Sequence, residues 1–167
     1  IPISIAGPAS DTPGNEQEKL DQAIKFYNEV ARRGREQGVV VAVHPHSHHL
    51  SLANGEKEYI RLLGATEASG LMYNPDTGHI IRGGQDPVAV FRKYFKRIVH
   101  VHVKDVDAQG SWQLLGKGIT DYPALFKLLR DGGYAGWVVS EEESEVVRTD
   151  LTGAISKNRA YLRSQGI

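Results

Sequence analysis

Apolar residues along this chain follow two alternating periods. Short runs rich in Val and Ile recur at residues 1–6, 39–44, 71–76, 98–104 and 136–141. Between them apolar positions return at helical spacing. Residues 16–37 form the longest such stretch, with Leu20, Ile24, Tyr27, Val30 and Ala31 on one face and Gly38 as its stop. A second helix is predicted over 56–68, ended by Gly70. Asp86-Pro87 reads as an N-cap and first-turn proline opening a helix to about residue 97. Another spans 121–130 before Gly132-Gly133, and a last one covers 146–164. Residues 7–14, rich in Gly, Pro and Ser, are a loop.

Five strands alternating with helices imply a parallel sheet, because each connection is long and helical. Little polar alternation within the strands fits a sheet covered on both faces. The fold class expected is therefore α/β, either a parallel (β/α) barrel or an open parallel sheet. A closed barrel takes about 250 residues, whereas this chain has 167. It supplies about five of the eight βα units, so the expectation is an incomplete barrel or an open sheet. No linker divides residues 1–167, which are expected to form one domain. Its two edges, near residues 1–5 and 136–141, are left unpaired, a geometry prone to association. The expected partner is a second copy of the chain or the N-terminal half of the barrel.

Composition narrows the classes of function. Formal net charge is zero, so no electrostatic footprint for nucleic acid or an anionic membrane is expected. The chain has no Cys, which removes disulfides, zinc–thiolate sites and cysteine nucleophiles together. No apolar run approaches the roughly 20 residues of a membrane span, and no signal peptide is seen. The cytoplasm is the expected compartment. The chain opens Ile1-Pro2 without an initiator Met, so an N-terminal segment is expected to be absent.

Polar residues sit where apolar strands give way to loops, and there the chemistry concentrates. Period two puts His100, His102 and Lys104 on one face of the fourth strand, opposite Val99, Val101 and Val103. A dry core would leave three such groups unsatisfied, which favours His102 as a metal ligand. Asp76 opens Asp76-Thr77-Gly78-His79 and is either a ligand or the cap of a turn that Gly78 supplies. Glu141 follows an apolar strand as the first of three acids, a ligand position or the start of a solvated acidic loop. His44 and His46 share a face around Pro45, His44 favoured for metal; His48 and His49 read as solvated. Gly116-Lys117-Gly118 is weak evidence for a phosphate loop, and Asp121 beyond it is more simply an N-cap. Asp105 and Asp107 are loop residues with no assigned task.

Four stretches taken in order carry a resemblance: Asp76-Thr77-Gly78-His79, His100-Val101-His102-Val103-Lys104-Asp105, Leu115-Gly116-Lys117-Gly118-Ile119-Thr120-Asp121-Tyr122 and Tyr134-Ala135-Gly136-Trp137-Val138-Val139-Ser140-Glu141. Together they resemble the sugar phosphate isomerase/epimerase family of xylose-isomerase-like TIM barrels, over its C-terminal five-eighths. The resemblance implies a divalent metal, Mn, Co, Zn or Fe, held at strand ends by Asp76, His102, Glu141 and a first ligand on the strand ending in His44. The family commonly has Glu at that first position, so His44 puts a symmetric two-carboxylate epimerisation in doubt. Val43-His44-Pro45-His46 and Glu141-Glu142-Glu143 look more like the inosose dehydratase branch.

The function implied is an enzyme acting through an enediolate on a keto-sugar or keto-inositol, as an isomerase, epimerase or dehydratase. Metal polarises the carbonyl, and a carboxylate or imidazole removes the alpha proton. Glu141, His79 and Lys104 are the catalytic candidates, and His79, His46 and His100 the substrate-binding ones. Two rival readings stand beside it. One is an inactive barrel fragment or binding module. The other is an endonuclease-IV-like nuclease, disfavoured because residues 107–115 contain no His.

Overall fold

A computed structural model describes residues 2–10, 12–48 and 51–167. Strand β1 (Pro2–Ala6) leads to helix α1 (Glu16–Glu36), β2 (Val40–His44), α2 (Glu56–Ala65) and β3 (Met72–Tyr73). Two helices follow, α3 (Thr77–Arg82) and α4 (Pro87–Tyr94), then β4 (His100–Val103). A hairpin of β5 (Asp105–Val106) and β6 (Trp112–Gln113) precedes α5 (Tyr122–Asp131), β7 (Trp137–Ser140) and α6 (Leu151–Ser164).

Parallel pairing runs β1-β2-β3 and β4-β7, with single bridges Tyr73↔Ile98 and Asp76↔His102 joining β3 to β4. The result is an arc of five parallel strands, part of a barrel that does not close. β3 is short because Pro75 has no N–H to donate, yet the register carries on: Asn74 N–H donates to the Val43 carbonyl and His102 N–H to that of Pro75.

The helices cover one face of the arc. Val41, Val43, Tyr73, Val101 and Val103 face them, packed with Leu20, Ile24, Tyr59, Leu62, Phe91 and Phe126. α1 buries Leu20, Ile24, Tyr27 and Ala31 as its spacing predicts, and Gly38 ends it with φ 70°. The other face is covered at Ala42, His44 and Asn74 but open elsewhere. Val139 and Trp137 share that face with His102 and His100 by their parallel register, and they are 36% and 74% exposed. Val40 of β2 is 39% exposed. The expectation of a sheet covered on both faces therefore holds for the helical side alone. Total accessible surface is 9015 Å². A closed monomer of this mass would show about 8,200 Å², so the excess matches an uncovered inner wall. Phe26 on α1 and Leu151 and Ile155 on α6 are also exposed, at the two ends of the arc. Among the described residues no helix is long and apolar enough to cross a membrane.

Two elements depart from the periodicity. Residues 77–82 form a helix too short to show a helical repeat, nucleated by the Asp76 cap. Residues 105–113 form a hairpin whose strands are two residues each. The last helix also begins later than expected, at Leu151, where Asp150 accepts from Gly153 N–H; residues 145–148 make a 3-10 turn instead.

Candidate metal centre at the strand ends

Parallel strands deliver their last inward-facing residues to one rim of the arc. His44 ends β2, Asp76 follows β3, His102 lies on β4 and Glu141 follows β7. One ligand atom from each of these four lies within 4.8 Å of every other. Among the described residues this is the one group of histidine and carboxylate donors so arranged.

His44 and Asp76 are each held by an outside partner that leaves a second atom for the shared centre, while His102 and Glu141 meet each other there. His44 is buried, and its Nδ1 is 3.0 Å from the Asn74 carbonyl, which fixes that nitrogen as the donor and leaves Nε2 unprotonated. That Nε2 is 3.8 Å from Glu141 Oε2. Burial pushes the His44 imidazole down to about 4, so it stays neutral, as a ligand must be. His102 Nδ1 is 2.6 Å from the same Glu141 oxygen. The hydrogen bond from His102, then that from Lys104, holds the Glu141 carboxyl well below the usual carboxylate range.

Asp76 plays both of the parts the sequence left open. Its Oδ1 caps α3 by accepting from His79 N–H at 2.8 Å. Its Oδ2 is buried and has no partner among the described residues. A buried carboxylate oxygen with no hydrogen-bond partner is unfavourable unless something binds it. Burial accordingly pushes the Asp76 carboxyl up to about 7. A divalent cation would remove that penalty, and two imidazoles with two carboxylates suit Mn, Fe, Co or Zn. The residues present fit such an ion.

The next three residues of the motif each serve this rim. The Thr77 hydroxyl accepts from Lys104 N–H at 2.9 Å and donates to the Lys104 carbonyl at 2.8 Å, pinning that backbone. Gly78 leaves room for its neighbours, since a Cβ there would lie 2.7 Å from the Trp112 ring. His79 Nδ1 accepts from Ser47 N–H at 3.1 Å, so its proton sits on Nε2 as a donor. Burial pushes His79 down to about 2, which keeps that donor neutral.

Around these four residues stand Lys104, His46 and Glu143. The Lys104 ammonium, 1% exposed, lies 2.7 Å from Glu141 Oε1 and 3.1 Å from Glu143 Oε1. His46 packs edge-on against His44 and His79, at ring separations of 4.7 and 4.9 Å. Burial lowers its pKa, as it does that of His100. His100 lies two residues back along β4, its ring 5.2 Å from His102, below the rim that the other candidates share. His48 is exposed, and its ring lies 5.0 Å from that of His46 at a tilt of 49°. His49 lies outside the described residues.

Sequence reasoning missed several supporting groups. Asp105 is fully buried and accepts from the N–H groups of Gly116, Gly118 and Thr120 and from the Thr120 hydroxyl. The Gly-Lys-Gly loop thus forms a nest whose anion is the protein's own carboxylate, not a phosphate. Asp121 caps α5 as expected, accepting from Ala124 N–H. Trp112 and Glu143 also border the rim. A lone Trp in a polar, Gly-containing turn was the available signal for the first.

A family model described as xylose isomerase-like TIM barrel matches residues 3–165. The inosose dehydratase of Clostridium beijerinckii is 27% identical, covering 83% of this chain and 52% of that protein. The rhizopine catabolism protein MocC of Rhizobium meliloti is 34% identical, covering 84% of this chain and 48% of that one. The chain therefore spans about half the length of the curated relatives it matches. Among solved structures, the zinc-bound IolI protein superposes with a TM-score of 0.80 at 14% identity, covering 98% of this chain and 62% of that one.

Proposed function

We propose, because the chain belongs to the xylose isomerase-like TIM barrel family, that its rim cluster binds a divalent metal and serves an enzyme of the isomerase, epimerase and dehydratase kind. Within that range a dehydratase-like lyase acting on a keto-inositol is favoured, with isomerisation or epimerisation of a keto-sugar as the alternative. The carrying observation is the convergence of His44, Asp76, His102 and Glu141 within 4.8 Å around the orphaned Asp76 oxygen. The similarity to inosose dehydratases supports the choice of substrate.

A bound metal would polarise the substrate carbonyl and acidify the adjacent C–H. Glu141, kept ionised by the hydrogen bonds from His102 and Lys104, would then take that alpha proton, which leaves an enediolate. In dehydration the beta hydroxyl then departs, taking up a proton to leave as water. In isomerisation or epimerisation carbon is reprotonated instead. His79 presents a neutral N–H donor for a substrate oxygen, and Lys104 fixes the far oxygen of Glu141. His46 is within ring contact of His79 and belongs to the substrate side of the rim.

In deuterium oxide with Zn²⁺ or Mn²⁺, the protein is expected to exchange the alpha proton of a keto-inositol and to hold one ion per chain. Exchange that survives a strong chelator, or a chain that retains no ion after dialysis, would overturn the reading.

The open inner wall supports a partner that completes the barrel, either a second copy or the N-terminal half. Val40, Trp137 and Val139 face that space, and β1 and β7 offer edges that are unpaired among the described residues. Light scattering is expected to show association, or binding of a separately supplied N-terminal half, with a melting temperature that rises with concentration. A monomer of 18.4 kDa with a concentration-independent melt and no affinity for that half would refute this.

A further inference from the structure

We infer that Trp112 is a positioning residue, holding the Lys104 ammonium away from the ligand centre and against the outer oxygen of Glu141. This rests on the reading of His44, Asp76, His102 and Glu141 as a metal site.

Lys104 is a problem as well as a support for that site. Its ammonium is nearly fully buried, and it sits beside the carboxylates that a divalent ion would need. Left mobile, it could bind both oxygens of Glu141 and compete there with the cation, and its charge is already felt at Asp76. Carboxylates alone do not prevent this, because Glu143 is 47% exposed and reaches in from a loop. The Trp112 ring does. Its centroid is 4.5 Å from Lys104 Nζ, a distance at which the π face attracts a desolvated ammonium.

The ring is itself held firmly. Asp107 Oδ1 accepts from the N–H groups of Gln109 and Ser111, and Oδ2 accepts from the Gln113 side chain, fixing the turn that carries Trp112. Arg82 lies 4.5 Å from the same ring, and His79 meets it edge-on at 5.2 Å. Gly78 completes the seat. A Cβ there would come 2.7 Å from the ring and 3.1 Å from Lys104 Cγ, so the chain leaves the indole and the lysine stem room to pack together.

A double-mutant cycle read by Co²⁺ binding tests the inference. Co²⁺ gives a visible spectrum that reports both affinity and coordination. Trp112→Leu, which fills the space without a π face, is expected to weaken Co²⁺ binding roughly fivefold. Trp112→Phe, which keeps a π face, should stay within about twofold. In a Lys104→Met background, Trp112→Leu should have no effect, because no ammonium is left to hold. An equal loss in both backgrounds would mark a merely structural role and overturn the inference, as would Leu and Phe variants that both match the wild type. Should the Leu variant not fold, a Trp137→Phe protein leaves Trp112 as the single tryptophan. Its emission is then expected to shift with Lys104→Met and with Co²⁺, and an unchanged emission overturns the contact. Failure of the wild type to bind Co²⁺ at all is a different result, which removes the metal reading beneath.

Discussion

Replacing Glu141 with Gln is expected to weaken divalent metal binding by more than about 100-fold, because residues merely supporting a ligand are already worth roughly 10- to 100-fold. The carboxylate does three things at once. One oxygen meets His102 Nδ1 at 2.6 Å, the other meets Lys104 at 2.7 Å, and its charge offsets that buried ammonium. Gln keeps the shape but removes the charge, and its amide nitrogen must face one of two hydrogen-bond donors. Lys104 is then left with Glu143 as its counter-ion. Exchange of the alpha proton should be lost together with the metal, since the proposed base has gone as well. Titration with Co²⁺ or Zn²⁺, beside circular dichroism to establish that the variant folds, makes the measurement. Binding within tenfold of the wild type would mean that Glu141 is not a ligand.

The strands and the larger helices were legible because their signals are local and repeated. Leu20, Ile24, Tyr27 and Ala31 recur at helical spacing and are the residues α1 buries. The alternation of His100 and His102 with Val101 and Val103 survives in the half-buried and buried pattern of β4. His44, Asp76, His102 and Glu141 were legible as a group because parallel strands bring their ends to one rim. What escaped depended on contacts between distant segments. Nothing near Asp105 announces that its partners lie 11 to 15 residues on, in a glycine loop that looked open to a phosphate. Trp112 gains meaning from Lys104 and Gly78, which come to it through α3 and β4. Asp76 was read as either ligand or cap because one carboxyl has two oxygens, and a sequence cannot divide them.

Asp105 carries the largest stability effect expected in the chain. Its carboxylate is fully buried and accepts from Gly116 and Gly118 N–H at 2.9 Å each, and from Thr120 N–H at 3.2 Å. The Thr120 hydroxyl adds a fourth bond at 2.7 Å, and Val106 N–H a fifth at 3.0 Å. The Gly118 backbone is folded so tightly here that a Cβ would lie 2.4 Å from the carboxylate and 2.1 Å from the Val106 carbonyl. Asp105→Ala leaves those donors facing a void. Each buried donor left unpaired costs about 1–3 kcal/mol, but the loop is partly exposed and water can reach some of them. A total loss of about 2–4 kcal/mol follows, or a fall in melting temperature of roughly 5–15 °C for a domain of this size. Asp105→Asn should not rescue it. One of its two acceptor oxygens becomes an NH₂ group, which then faces donors with nothing to offer them. If the Asn variant melts with the wild type, the nest is held by its backbone rather than by the charge at its centre.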